Sequence, residues 1–247
     1  MKTYPITLTV NGETSTLEVP PHRTLLQLLK GDIHADSVKE GCGIGECGAC
    51  TVIMNDQPVN ACLVLAVEAD GAEIRTTEGE GFDELSDLQQ ALIDFGGIQC
   101  GFCTPGMVAS ARALLETNPN PTRDQIIEAL AGNYCRCTGY EPIINAVQAV
   151  VGGDYRARGP EQAPYVGGNA KRIDGMAKVT GSAQFVHDMV LPRMLYTRLK
   201  KSPHAAAAIK KVDVQKAKSM PGVRAVLTGA DLPHKLGLYM QDKDCLL

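Results

Sequence analysis

The chain has 247 residues, a net charge of −4, 44% hydrophobic residues, nine Cys and no Trp. That length suits one or two domains with real cores and excludes a mini-protein or a disordered tail. No run approaches the roughly 18 uninterrupted apolar residues of a membrane span. The first eight residues alternate like a strand and lack the apolar core of a secretory signal, so a cytoplasmic location is expected. There, clustered thiols more often bind metal than form disulfides.

In chain order, Ile6, Leu8 and Val10 alternate from Tyr4 to Val10, Asn11-Gly12 offers a type I′ turn, and Thr14 to Val19 supplies a return strand. Thr24 to Lys30 reads as a short helix. After a Gly- and Cys-rich loop, Cys50 to Met54, Leu63 to Val67 and Glu73 to Thr76 are strand candidates, and a small mixed sheet grasping one helix accommodates them. Past Gly79 the spacing becomes helical: Leu85, Leu88, Leu92 and Phe95 share one face, and Met107, Ala111, Leu114 and Leu115 another. Thr122 with Gln125 forms a capping box before Ile126, Ile127 and Leu130, and Pro142 suits a first helical turn before Ile143, Ile144 and Val147. Four short helices make a bundle. Beyond it, Ala183 to Val186, Leu195 to Leu199 and Ala225 to Leu227 read as strands, with a helix near Val214 to Ser219 and a Pro221-Gly222 turn.

Charge divides the chain. Residues 1–153 carry 8 Lys+Arg against 20 Asp+Glu, net −12, whereas residues 154–247 carry 16 against 8, net +8. Eight cysteines lie in the acidic part and only Cys245 lies beyond it. The Gly-rich, charged stretch from Gly152 to Pro160, with Pro164 and Gly167-Gly168 after it, is linker chemistry. A linker over 154–165 is expected, separating a sheet domain (1–78) and a helical domain (79–153) from a third region (166–247).

The cysteines form two sets. Cys42, Cys47, Cys50 and Cys62 have intervening spacings of four, two and eleven residues. A C-x4-C-x2-C run with a distant fourth Cys is the plant-type [2Fe-2S] ligand spacing. The glycines between them let the backbone wrap closely and aim N–H groups at sulfur. A structural zinc site is the alternative, although zinc sites usually use two short hooks rather than three cysteines in one loop. The second set is Cys100 and Cys103 with Cys135 and Cys137, 31 residues apart. Two such hooks suit tetrahedral zinc on spacing alone. Context favours an iron-sulfur cluster: Thr104 as N-cap with Pro105 starts one helix, and Gly139-Tyr140-Glu141-Pro142 opens another, so both hooks lie near positive helix N-termini that suit an anionic cluster.

Three stretches, Glu40 to Val52, Gln99 to Met107 and Gly132 to Tyr140, resemble the iron-sulfur subunit or domain of the molybdenum hydroxylases, the xanthine dehydrogenase and aldehyde oxidase family. The resemblance covers about residues 4–152 and implies an α+β chain: a β-grasp plant-type ferredoxin domain and a four-helix bundle, each holding one [2Fe-2S] cluster. Further on, Arg172-Ile173-Asp174-Gly175, Ala177-Lys178-Val179-Thr180-Gly181, Ser202-Pro203-His204-Ala205 and Pro221-Gly222-Val223 resemble the start of the molybdenum subunit, a partial α/β hammerhead. The resemblance makes all eight clustered cysteines metal ligands and places Gln99 and Cys137 at a molybdopterin cofactor shared with a partner chain. It implies electron transfer from a molybdenum centre through the bundle cluster and the ferredoxin cluster to a flavin or other acceptor. The family's catalytic glutamate belongs to a C-terminal molybdenum domain, so no catalytic residue is assigned to this chain.

The short linker leaves no room for a flavin domain, so FAD, if used, belongs to a separate subunit; the direct join resembles flavin-free aldehyde oxidoreductases and some bacterial purine hydroxylases. A hetero-oligomer with a molybdopterin-binding large subunit is expected, acting on xanthine, purines or other N-heterocycles, with an aldehyde oxidoreductase as the alternative. A ferredoxin-like carrier or a zinc-stabilised interaction module is the reading from another class.

The remaining candidates have plainer readings. Arg136 either raises a cluster potential or pairs with a carboxylate. Tyr134 and Phe102 are read as packing that excludes water. His22, His34, His187, His204 and His234 show no metal spacing. Cys245 is read as a spare thiol. Lysine pairs such as Lys200-Lys201 lack the interleaved aromatics of a nucleic-acid site, so nucleic acid is not expected as a partner, and without a long apolar run neither is a membrane.

Overall fold

The computed structural model describes residues 2–79, 85–157, 172–231, 235–236 and 243–244. Most of the expected linker, the start of the expected third region at 166, His234 and Cys245 lie outside the described residues. The chain divides into two compact units, Met1–Pro192 and Arg193–Leu247.

The first unit begins with β1 (Tyr4–Val10) and β2 (Glu13–Val19), paired antiparallel with Tyr4 opposite Val19. Asn11 and Gly12 take φ of 50° and 84°, the left-handed pair that a type I′ hairpin needs. Next come α1 (Leu25–Gly31), β3 (Thr51–Met54), β4 (Gln57–Asn60), a 3₁₀ turn at Ala66–Ala69 and β5 (Glu73–Arg75). The sheet order is β2-β1-β5-β3-β4, with β1 and β5 parallel. Ile6, Leu8 and Val10 of β1 face Leu25, Leu28 and Leu29 of α1, with Val52 and Ile74 completing the core. This is the β-grasp arrangement. The Thr24 hydroxyl accepts from Gln27 N–H and the Gln27 side chain accepts from Thr24 N–H, so α1 starts in a closed capping box.

Leu63 to Val67 is not a strand. Val64 O accepts from Leu25 N–H at 2.8 Å and Leu65 bridges Thr24, so this apolar run tethers the start of α1 before turning into the 3₁₀ segment. The strand that does form there, β4, is polar and contains Pro58, which an edge strand tolerates because one side of its backbone needs no ladder partner.

The helices are α2 (Asp87–Asp94), α3 (Thr104–Thr117), α4 (Arg123–Leu130) and α5 (Glu141–Ala149). Leu88, Leu92, Met107, Ile126, Leu130, Ile143 and Val147 form their shared core. Thr122 caps α4 through Gln125, as its capping-box sequence implies. Helix α3 starts one residue earlier than expected: Cys103, not Thr104, is the N-cap, and it makes no side-chain cap bond. Thr104 N–H instead bonds Gly101 O, which draws Thr104 into the first turn.

A short α6 (Gly175–Val179) completes the first unit, with Val179 fully buried in the bundle core. Ala183 to Val186, expected as a strand, is a non-ladder segment leading into a 3₁₀ turn at Val186–Asp188. Its backbone groups go elsewhere: Ala183 N–H bonds Ala177 O, and Phe185 N–H bonds the Asp188 carboxylate at 3.1 Å.

The second unit holds α7 (Gln215–Lys218), a turn with Gly222 at φ 86°, and the paired β6 (Lys235–Leu236) and β7 (Lys243–Asp244). The strands expected at Leu195 to Leu199 and Ala225 to Leu227 are absent from the described residues. Strands persist through ladder partners and a buried face, and Leu195, Tyr196 and Leu199 are 64%, 73% and 70% exposed. Among the described residues, no helix is long and apolar enough to cross a membrane.

Candidate functional site

Each cysteine set is delivered by one loop plus one return. Gly43, Gly45 and Gly48 adopt φ of 67°, 82° and 66°, which bends the loop from Cys42 to Cys50 around its own sulfurs. The N–H groups of Ile44 and Cys47 point at Cys42 Sγ at 3.5 and 3.4 Å. These amides pull the Cys42 thiol down to about 6, toward the thiolate. A Cβ on Gly41 would sit 2.8 Å from Cys47 Sγ, so a side chain there would enter the sulfur cradle. Cys62 arrives from just after β4. Cys50 and Cys62 are both buried, and burial pushes the Cys50 thiol up to about 12.

In the bundle, Cys103 caps α3, while Cys135 and Cys137 precede Tyr140, the N-cap of α5. Tyr140 stands at φ 70° and its hydroxyl accepts from Cys135 N–H at 2.9 Å, which fixes the second hook. Burial raises the Cys103 thiol, and partial desolvation of the sulfur, with Cys137 and Cys135 beside it, raises that of Cys100. Burial acts the same way on Cys135, but the Thr138 hydroxyl and amide more than offset it and the net shift is downward.

Within each set the thiols act on one another most strongly in twos, Cys42 with Cys47, Cys50 with Cys62, Cys100 with Cys137, and Cys103 with Cys135, and their charges also act across the pairs, Cys47 on Cys50 and Cys135 on Cys100. Among the described residues no three or more His, Cys, Asp or Glu side chains gather as a single metal ion would require. Two thiol pairs per set, with amide donors and helix N-termini beside them, fit a binuclear cluster that takes two thiolates at each iron.

One seam holds the two loops together. Tyr134 N–H donates to Cys47 O at 2.8 Å, so a single hydrogen bond joins the residue before Cys135 to the ferredoxin loop. Asn133, 3% exposed, donates to Gly48 O at 2.9 Å and accepts from the Ser110 hydroxyl at 2.6 Å. Ile53 of β3 packs with Ala109 and Ala113 of α3 in the same seam. A Cβ on Gly106 would strike the Gly48 carbonyl, so close contact needs glycine.

Gln99, Cys100 and Cys137 are exposed, and the Gln99 carboxamide has no hydrogen-bond partner among the described residues. That face is therefore open to a partner or ligand. Arg136 is paired with no carboxylate among the described residues and donates instead to the Tyr134 hydroxyl at 3.0 Å; Tyr134, 55% exposed, is no water-excluding cover. Phe102 does pack, edge-on to Phe185 with ring centres 5.2 Å apart. Sequence reasoning assigned no role to Asn133, Lys39 or Asp188. Lys39 is fully buried, its ammonium 2.8 Å from the Asp188 carboxylate, which also accepts from Lys30 at 2.7 Å. These partners lie well over a hundred residues apart, so no local pattern reveals them.

Three family models match successive parts of the chain. The 2Fe-2S iron-sulfur cluster binding domain covers residues 8–77, the [2Fe-2S] binding domain 76–148, and the aldehyde oxidase and xanthine dehydrogenase a/b hammerhead domain 180–246. The small FeS subunit of nicotinate dehydrogenase from Eubacterium barkeri is 49% identical over 152 residues, 61% of this chain and 97% of that protein. An aldehyde oxidoreductase from Megalodesulfovibrio gigas is 37% identical over 92% of this chain, which spans only 27% of it. The aldehyde oxidoreductase from Desulfovibrio desulfuricans superposes with a TM-score of 0.84 at 38% identity, covering 95% of this chain and 27% of that one. The chain belongs to the molybdenum hydroxylase family, as an iron-sulfur module of two [2Fe-2S] domains joined to hammerhead sequence.

Proposed function

We propose that the chain is the electron-transfer, iron-sulfur part of a molybdopterin-dependent hydroxylase acting on a purine or another N-heterocycle. The single observation that carries this is the placement of two four-cysteine sets on either side of one hydrogen-bonded seam. Cys42, Cys47, Cys50 and Cys62 hold one [2Fe-2S] cluster; Cys100, Cys103, Cys135 and Cys137 hold the other. When bound, such clusters each take up and release one electron at a time.

The protein's own contribution is positional. Amides of Ile44 and Cys47 stabilise negative charge at Cys42 Sγ, and the start of α3 does the same at Cys103. Exposed Gln99 and Cys137 face outward, where they contact the molybdopterin of a partner chain. The other set, on the ferredoxin domain, hands electrons to a flavin subunit or another acceptor. The relationship to a nicotinate dehydrogenase subunit supports an N-heterocycle as substrate. Relatives that join the same parts directly are aldehyde oxidoreductases, which keeps an aldehyde as the second reading.

Purification of the native complex tests this. A molybdenum-containing partner should co-purify, and adding an N-heterocycle should bleach the visible absorption of this chain. Bleaching by aldehydes alone would move the assignment to the second reading, and a chain that never associates with molybdenum would overturn the proposal.

A further inference from the structure

We propose that Lys178 is a positioning residue for the first cysteine hook of the bundle: its ammonium binds the Gln99 carbonyl and sets a positive charge beside the Cys100 loop, favouring reduction of the bundle cluster. This rests on the iron-sulfur reading above and names a residue outside both cysteine domains.

Helix α6 is seated on the bundle from within. Val179 is fully buried in the bundle core, and its carbonyl accepts from Gln89 Nε2 at 3.1 Å. A Cβ on Gly175 would stand 3.2 Å from Ile93, so the first turn of α6 lies against α2. From that seat the Lys178 stem crosses Gly101, which stands at φ 85°; a Cβ there would meet Lys178 Cγ at 2.5 Å. The Lys178 side chain is only 12% exposed, and Nζ lies 2.8 Å from Gln99 O and 2.6 Å from Asp174 Oδ2. A surface lysine ordinarily keeps its ammonium in water while its stem covers apolar groups. Here the ammonium is spent on the backbone carbonyl directly preceding Cys100.

The ion-paired group that holds Lys178 is Lys178, Asp174 and Arg172, the last paired with Asp174. Together they carry one net positive charge, and removing the lysine makes the group neutral. Reduction adds a negative charge to a cluster, so a fixed positive charge nearby favours the reduced form. Phe185, edge-on to Phe102 between the two cysteines of the same hook, excludes water and limits screening there. A lysine serving α6 alone would need only its i,i+4 pairing with Asp174, which does not require burial across Gly101 or a bond to Gln99.

The test uses the full chain with Lys178→Met, which keeps the stem, and Lys178→Arg, which keeps the charge. Redox titration followed by electron paramagnetic resonance reads both clusters in one molecule, the ferredoxin cluster serving as internal reference. Lys178→Met should keep its iron while the reduced-to-oxidised ratio of the bundle cluster falls about tenfold at fixed poise, a drop of about 59 mV. The ferredoxin cluster should not move, and Lys178→Arg should stay close to wild type. An unchanged bundle potential, an equal shift of both clusters, or loss of bundle iron in Lys178→Met would overturn the assignment. A wild-type chain without two binuclear clusters would overturn the iron-sulfur reading and this inference together.

Discussion

The amide of Asn133 is satisfied on three sides, donating to Gly48 O and the Thr51 hydroxyl and accepting from the Ser110 hydroxyl. Asn133→Ala strands the buried Ser110 hydroxyl and removes one of three donors from Gly48 O, which keeps the Thr51 amide and hydroxyl, and should lower stability by about 2 kcal/mol in urea unfolding. Gly106→Ala presses a methyl onto the Gly48 carbonyl and should loosen the same seam, read as faster amide exchange in residues 47–51. A ligand substitution separates the two sets: Cys62→Ser should remove about two irons and one resonance signal while leaving the other. The cysteines were legible because ligand spacing within a loop is a local property. Asn133 stood in plain view, but its role depends on partners 23, 82 and 85 residues away, which no periodicity encodes.

Among the elements, β1, its Asn11-Gly12 turn, α1 and the four helices of the bundle follow from period and capping, each a matter of a few adjacent residues. The failures share a cause. Leu63 to Val67 looks like a strand by composition, yet its backbone is recruited by α1; β4 looks like a loop, yet Asn55 and Asp56 at φ 50° and 64° make the tight turn that pairs it with β3. Two carboxylates, each paired with two cations, tie elements together and predict a pH response. Hydrogen bonding to Arg75 and then to Arg112 holds Glu116 of α3 down to about 2. Burial would raise Asp188, but Lys30, Lys39 and the Phe185 amide bring it to about 2 as well. Both values lie below the ordinary carboxylate range. Their stabilisation is therefore complete above about pH 4.5 and is lost as pH falls through about 2. The urea midpoint should fall over that window, and Asp188→Asn should flatten the fall more than Glu116→Gln. The Glu116 side chain is 34% exposed and screened by water, whereas that of Asp188 is fully buried.

At the scale of the whole molecule, nine cysteines and a charge of −4 resolve into two four-thiol sets and a chain with an acidic front and a basic end. The expected third region contributes to the first: α6 and the turn at Val186–Asp188 lie within the same compact unit as both cysteine domains, held by Lys30, Lys39 and Gln89. The hammerhead match covers residues 180–246 and so includes that turn, and a family match does not fix which core a residue joins. The central claim is that the two sets each hold a binuclear cluster. Iron and acid-labile sulfide analysis of the full chain, combined with electron paramagnetic resonance after dithionite reduction, tests it most directly. The expected result is about four irons and four sulfides per chain with two distinguishable reduced signals; stoichiometric zinc without sulfide and without a reducible signal would contradict it.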